Sequence, residues 1–156
     1  MDEAIQLRQA QASDAVAIRR LTRDAYAKWV PVVEREPKPM TADYDAAVLK
    51  HRFDLLYLDG ALAALIETVD EVDQLLIENV AVSPGFQGRG LGRKLMALAE
   101  EIALALGRSR IRLYTNKRFE KNVQLYLRLG YGVDSEEEID GGMFRVNMSK
   151  DLEPGF

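Results

Sequence analysis

The stretch Val82-Ser-Pro-Gly-Phe-Gln-Gly-Arg-Gly-Leu-Gly-Arg-Lys-Leu95 decides the reading of this chain. It holds four glycines and three cationic side chains. Before it runs the apolar segment Leu75–Val82, which reads as a strand ended by Ser83-Pro84-Gly85. After it, Leu91, Leu95, Leu98, Ile102 and Leu106 mark one helical face, and Gly107 is placed to close that helix. A helix start leaves its first backbone N–H groups without intrahelical partners and carries the positive end of the helix dipole. Glycine removes the Cβ atoms that would hold an anion away, and it permits the positive φ of a sharp turn. Strand, glycine loop and helix therefore predict a phosphate site, with Arg89, Arg93 and Lys94 adding charge around it. A tight turn with no ligand needs one or two glycines and no cations.

The charge distribution agrees. The chain of 156 residues has a net charge of −4, which argues against general nucleic-acid binding. From Pro84 to Tyr131, however, ten Lys/Arg stand against three Asp/Glu, a local charge of +7. A basic island in an acidic protein suits a small polyanion; a merely asymmetric surface is the plainer reading. With no cysteine, disulfide frameworks, thiolate metal sites and a cysteine nucleophile are excluded. With one histidine and no cysteine, no metal site is expected. The opening MDEAIQLRQAQ lacks the basic and apolar regions of a signal peptide, and no apolar run reaches the length of a membrane span. The expectation is a soluble, cytoplasmic protein with no membrane partner.

Outward from the loop, the pattern gives one domain over 1–156, of a size that builds a single core. Ala4–Ala10 alternates as a first strand, and Ser13 is placed to cap a helix from Asp14 to Trp29 with Ile18, Leu21, Ala25 and Trp29 on one face. Three prolines between Pro31 and Pro39 stop that helix. Thr41 is placed to cap a short second helix through Lys50. Two apolar runs around Asp59-Gly60 predict a hairpin. An acidic turn leads into Leu75–Val82. Arg110–Thr115 reads as a strand, Arg118–Leu129 as a helix stopped by Gly130, and the end as a strand pair around Asp140-Gly141-Gly142. The result is an α/β or α+β domain with a mixed sheet, whose strand–loop–helix–strand unit makes a right-handed crossover between parallel strands.

Two phosphate motifs fail here. Counting from Gly88, Arg93, Lys94 and Leu95 stand where a Walker A loop needs Gly-Lys-Ser/Thr. Arg93 also takes the third glycine position of the dinucleotide fingerprint. What does stand is Gln87-x-x-Gly90-x-Gly92 at the start of a long helix, and downstream Asn122-Val-Gln-Leu-Tyr126-Leu-Arg-Leu-Gly130-Tyr131. Both resemble elements of the GNAT superfamily of acyl-CoA-dependent N-acyltransferases, and the order of strands and helices agrees along nearly the whole chain. The resemblance implies the GNAT fold, with a mixed sheet of about seven strands flanked by about four helices. It implies acetyl-CoA as co-substrate, its pyrophosphate on backbone amides from Gly88 through Arg89, Gly90, Leu91 and Gly92 to Arg93, with Gln87 and Lys94 beside them. It implies main-chain pairing of the pantetheine arm with Ala81 and Val82, a contact from Asn122, and Tyr126 near the sulfur.

Acyl transfer from a thioester to an amine needs a deprotonated amine, donors for the developing oxyanion and a proton for the departing thiolate. No covalent enzyme intermediate is required, which suits a chain without a Gly-x-Ser-x-Gly elbow. Tyr126 is the candidate acid, against a plain core tyrosine. Glu78 is the candidate base, directly or through a water, because a carboxylate sharing a strand face with Val80 and Val82 is poorly explained by packing; a salt bridge to an arginine is the competing reading. The Val82 N–H is the natural oxyanion donor. His51, after a short helix, reads as a surface residue before a base. For the acceptor, Tyr26, Trp29, Glu34 and Glu36 offer aromatic faces and carboxylates to a cation, with Trp29 equally the core end of its helix. The expected reaction is acetyl transfer to a primary amine of a small molecule or amino acid. Its competitors are a peptide acceptor and a sensor that binds acyl-CoA without turnover. Met143–Lys150 offers a strand edge for a homodimer.

Overall fold

The computed structural model describes residues 4–153. In chain order, β1 (Ile5–Gln9) is followed by α1 (Ala15–Tyr26), two one-turn helices α2 (Val30–Val33) and α3 (Lys38–Thr41), and α4 (Tyr44–Lys50). Then come β2 (Arg52–Leu58), β3 (Ala61–Asp70), β4 (Leu75–Val82), α5 (Leu91–Ala105), β5 (Arg110–Asn116), α6 (Glu120–Arg128), β6 (Gly132–Asp140) and β7 (Met143–Asp151). The strands form a seven-stranded mixed sheet, as the sequence led us to expect, and their order is β1-β2-β3-β4-β5-β7-β6. The described residues fall into two compact units, one made of residues 4–69 with Asn79–Ala99, the other of Asp70–Glu78 with residues 100–153.

In the first unit β1, β2 and β3 pair antiparallel. Asp59 at φ 50° and Gly60 at φ 84° make the two-residue turn between β2 and β3, whose paired positive φ matches the twist of the flanking strands. Ile18, Leu21 and Ala25 line the inner face of α1 and pack on Tyr44, Phe53, Leu55, Leu65 and Ala81. Burying each large apolar side chain of this set contributes about 1.5–3 kcal/mol. In the second unit the first residues of β4 pair parallel with β5, Leu75 opposite Ile111 and Ile77 opposite Leu113. β5 pairs antiparallel with β7, and β7 with β6; Met143–Lys150, expected to offer a strand edge, is therefore paired on both sides, and β6 is the edge strand. Leu75, Ile77, Ile111, Leu113, Val146 and Met148 are buried on these strands. Parallel pairing of β4 with β5 is what the strand–loop–helix–strand unit predicted.

Four local expectations are corrected. The helix from Asp14 to Trp29 ends as an α-helix at Tyr26 and tightens to a 3₁₀ turn over Ala27–Trp29. Ser13 is not its cap; the Asp14 carboxylate instead accepts from the Gln11 N–H at 2.8 Å and takes Arg8 as a partner. Pro31 sits in the first turn of α2, where its missing N–H would be unsatisfied anyway. Asp43, not Thr41, caps α4, its side chain accepting from the Ala46 N–H. Leu106 lies beyond α5 and is exposed. Among the described residues the α-helices number six, but α2 and α3 have four residues each, so four carry the architecture.

Candidate active site

The glycine loop belongs to the first unit. At the end of β4 the Ser83 N–H donates to Ala63 O at 2.8 Å. Successive strand residues send their backbone groups to opposite edges, so the Val82 N–H and C=O face away from β3. A 3₁₀ turn over Pro84–Phe86 follows, then Gly88 at φ 80° and Gly90 at φ 77°. These values suit glycine and strain most other residues. α5 opens as the Lys94 N–H donates to Gly90 O at 3.2 Å. The amides of Leu91, Gly92 and Arg93 therefore point out of the helix start without intrahelical acceptors. A Cβ on Gly88 or Gly90 would meet nothing within 4 Å, so the space before the loop is open. Gly92 is helical, and a Cβ there would meet only Val82 Cγ2 at 3.9 Å. The chain's own packing thus does not demand glycine at 92.

Gln87 braces this loop. Its Nε2 donates to Val82 O at 3.0 Å, and its Oε1 accepts from Lys28 Nζ at 3.2 Å. Lys28 also lies over the Trp29 ring at 5.4 Å. The Arg89 guanidinium lies over the Phe86 ring at 5.3 Å. Arg93 and Lys94 are exposed. The basic island is narrower than the sequence suggested. Arg108 pairs with Asp70, Arg112 with Glu71, Arg110 with Asp134 and Lys117 with Glu136. Each of these four has an acidic partner from outside the Pro84–Tyr131 stretch.

The segment expected to hold the acceptor lies in the same unit. The Tyr26 hydroxyl donates to Asn79 Oδ1 at 2.9 Å, and Asn79 is buried. The Asn79 amide nitrogen is a buried donor without a partner. Trp29 is half-buried and stands outside the core cluster. Glu34 is exposed, with φ at 60°. Glu36 shares both carboxylate oxygens with Arg23, which holds its carboxyl below the usual carboxylate range.

The acid–base candidates belong to the second unit. Leu75, Ile77, Asn79 and Ala81 are buried on one face of β4, while Glu78, Val80 and Val82 are half-buried on the other. Glu78 takes no arginine partner; the Tyr114 hydroxyl donates to its Oε1 at 2.6 Å. Arg145 lies over the Tyr114 ring at 4.7 Å. Asn122 and Tyr126 share a half-buried face of α6 with Leu129. Desolvation pushes the Tyr126 hydroxyl up to about 12, so it stays protonated at neutral pH. Its ring meets Tyr131 edge-on, centroids 6.3 Å apart. Burial, with the Glu100 carboxylate beside it, pushes the Tyr131 hydroxyl higher still.

Sequence reasoning missed Tyr114, Lys28 and Asn79. Tyr114 and Lys28 carry no motif, since each matters through a residue 36 or 59 positions away. Asn79 had a signal: an amide at a buried position of an otherwise apolar strand face. His51 is half-buried and not a plain surface residue, its Nδ1 lying 2.6 Å from Oε2 of the buried Glu67. Among the described residues no cluster of three or more His, Asp or Glu is placed to hold a metal ion, and no helix is long and apolar enough to cross a membrane.

Comparison with known proteins places these features. The PaiA N-acetyltransferase from Thermoplasma acidophilum, solved with coenzyme A, superposes with a TM-score of 0.80 at 18% identity over 96% of this chain and 99% of that one. The ribosomal-protein-S18-alanine N-acetyltransferase from Escherichia coli gives 0.75 at 18% identity over 98% and 97%. YncA from Salmonella typhimurium, solved with its cofactor acetyl-CoA, gives 0.73 at 19% over 97% and 96%. At these identities the likeness establishes the fold. A search of curated proteins finds no match. The model of the acetyltransferase (GNAT) family matches residues 16–131, from α1 through the glycine loop to the end of the Asn122–Tyr131 element, and the chain belongs to that family.

Proposed function

We propose that this chain moves an acetyl group from acetyl-CoA to a primary amine of a small molecule or an amino acid, by direct attack in a ternary complex. The 156 residues act as a single acetyltransferase domain. The amides from Gly88 to Arg93 take the pyrophosphate, with Arg89, Arg93 and Lys94 around it, and Gln87 holds the loop to β4. Each hydrogen bond to a charged oxygen contributes about 1.5–3 kcal/mol, so several give affinity without a dedicated side chain. Ala81 and Val82 pair with the pantetheine arm at the end of β4. Asn122 contacts the coenzyme.

The thioester supplies an activated acyl carbon. Glu78, directly or through a water, takes a proton from the ammonium, since an alkylammonium with pKa near ~10 has no lone pair at neutral pH. The Val82 N–H donates to the acetyl carbonyl oxygen as negative charge grows there. The nitrogen–carbon bond forms, the carbon–sulfur bond breaks, Tyr126 gives its proton to the thiolate, and the second proton leaving the new amide nitrogen restores the Tyr126 hydroxyl. A hydroxyl held at about 12 by burial is present as the acid at all physiological pH. Tyr26 and Trp29, with the carboxylates of Glu34 and Glu36, receive the cationic acceptor.

One observation carries the reading: two positive-φ glycines open a fifteen-residue helix one short loop after β4, in a chain of the GNAT family. The test is thiol release from acetyl-CoA against polyamines, amino acids, aminoglycosides and short peptides, with acetyl-CoA binding measured by calorimetry on the same sample. Turnover with one amine class supports the proposal and fixes the acceptor. Binding with no turnover across the panel favours a non-catalytic acyl-CoA sensor. Absence of binding overturns the loop assignment.

A further inference from the structure

The parallel ladder between β4 and β5 stops at Ile77 opposite Leu113. The next residues on the two strands are Glu78 and Tyr114, and they meet through their side chains, hydroxyl to carboxylate at 2.6 Å. Both are half-buried. A hydrogen bond of this length to an ionised acceptor is of the strong, charge-assisted kind. The groups around the pair are arranged to keep it. Arg145 stands over the Tyr114 ring and is itself paired to Glu137. Arg112, on β5, is held by both oxygens of Glu71 and adds positive potential toward Glu78 and Tyr114. Because Glu71 already occupies the Arg112 guanidinium, Glu78 keeps one oxygen tied to a neutral donor and is not locked in a salt bridge.

We infer that Tyr114 is a positioning residue, which fixes the orientation of the Glu78 carboxylate through one oxygen so that the other is presented to the acceptor amine or its water. A carboxylate on a half-buried strand face can rotate about its side-chain bonds. A phenol on the neighbouring strand removes that freedom without neutralising the charge, as a guanidinium would. The inference rests on Glu78 as the base, and the test separates the two.

The first measurement needs no acceptor. In protein labelled with ¹³C at the tyrosine Cζ, Tyr114→Phe assigns the Tyr114 signal, and Glu78→Gln replaces its charged partner by a neutral amide. The Tyr114 Cζ signal is expected to move in Glu78→Gln while the other tyrosine signals stay in place. An unmoved signal would mean that the pair does not exist in solution, and the inference would fall. The second uses acetyl-CoA and the amine turned over best in the panel. Tyr114→Phe is expected to lower kcat about tenfold with the KM for acetyl-CoA unchanged. The double variant should be no slower than Glu78→Gln alone. Multiplicative losses would show that Tyr114 acts independently of Glu78 and would overturn the positioning role. Full activity in Glu78→Gln would remove the base assignment and this inference with it, whatever the Cζ signal does. Unchanged coenzyme affinity in Tyr114→Phe is the control that a structural lesion would not pass.

Discussion

The glycine loop and the end of the β4–β5 ladder solve two recognition problems by opposite means. The loop works with main chain. Gly88 and Gly90 adopt φ of 80° and 77°, α5 begins at once, and in the proposed reaction exposed amides are the working groups. The ladder end works with side chains, a tyrosine on β5 holding a carboxylate on β4. Main-chain recognition constrains residue type at fixed spacing and leaves a motif. Side-chain pairing between segments 36 residues apart leaves none. The first region should fail through binding and the second through turnover, and the predictions below are built to separate them.

The largest expected effect is on the loop. Gly90→Asp puts a Cβ at a φ of 77° and a negative charge where the phosphates belong, and acetyl-CoA affinity should fall by about 100-fold or more. Calorimetry reads this directly; unchanged affinity would break the loop assignment. Tyr126→Phe should act on the other side of the comparison, lowering kcat by about 100-fold with little change in coenzyme affinity. Its hydroxyl lies at about 12, so the wild-type rate should show no loss from its ionisation until the pH approaches that value. The same shift has a stability consequence. A group whose folded value is raised keeps its contribution below its unfolded value, about 10, and loses it as pH rises through the folded one. The stability of the wild type, read by chemical denaturation, should therefore fall between pH 10 and about 12, and that of Tyr126→Phe should fall less over that window.

Two smaller effects sharpen the contrast. Lys28→Met removes the ammonium that meets Gln87 at 3.2 Å. An exposed charge of this kind is worth at most about 1 kcal/mol, so coenzyme affinity should fall by up to about fivefold, with kcat unchanged at saturation. Val72→Gly tests the use of positive φ where nothing is bound. Val72 sits at φ 76° in an exposed turn, its N–H on Asp70, a strained position for a β-branched residue. Glycine should raise stability by about 1 kcal/mol, seen as a higher Tm, and leave activity alone.

The sequence was informative where local rules act alone. Strand β4 begins and ends at Leu75 and Val82 as its apolar run predicts, and Asp59-Gly60 makes the turn that its chemistry requires. Helix starts were misplaced where a better acceptor stood one or two residues away. At the first helix the Asp14 carboxylate reaches back to the Gln11 N–H and Ser13 is not the cap, and Asp43 caps α4 in place of Thr41. The basic island overstated the positive surface because the acids that neutralise Arg108, Arg110, Arg112 and Lys117 lie elsewhere in the chain. Glu78 was legible as a carboxylate on the wrong kind of face; its partner Tyr114 was not, since no local pattern marks a tyrosine as the holder of a distant carboxylate.

The central claim is tested most directly by a crystal structure of the chain grown with acetyl-CoA. The account predicts pyrophosphate oxygens within hydrogen-bond distance of the amides between Gly88 and Arg93, with the acetyl carbonyl on the Val82 N–H. A pyrophosphate bound elsewhere, or an acetyl group directed away from Val82, would contradict it.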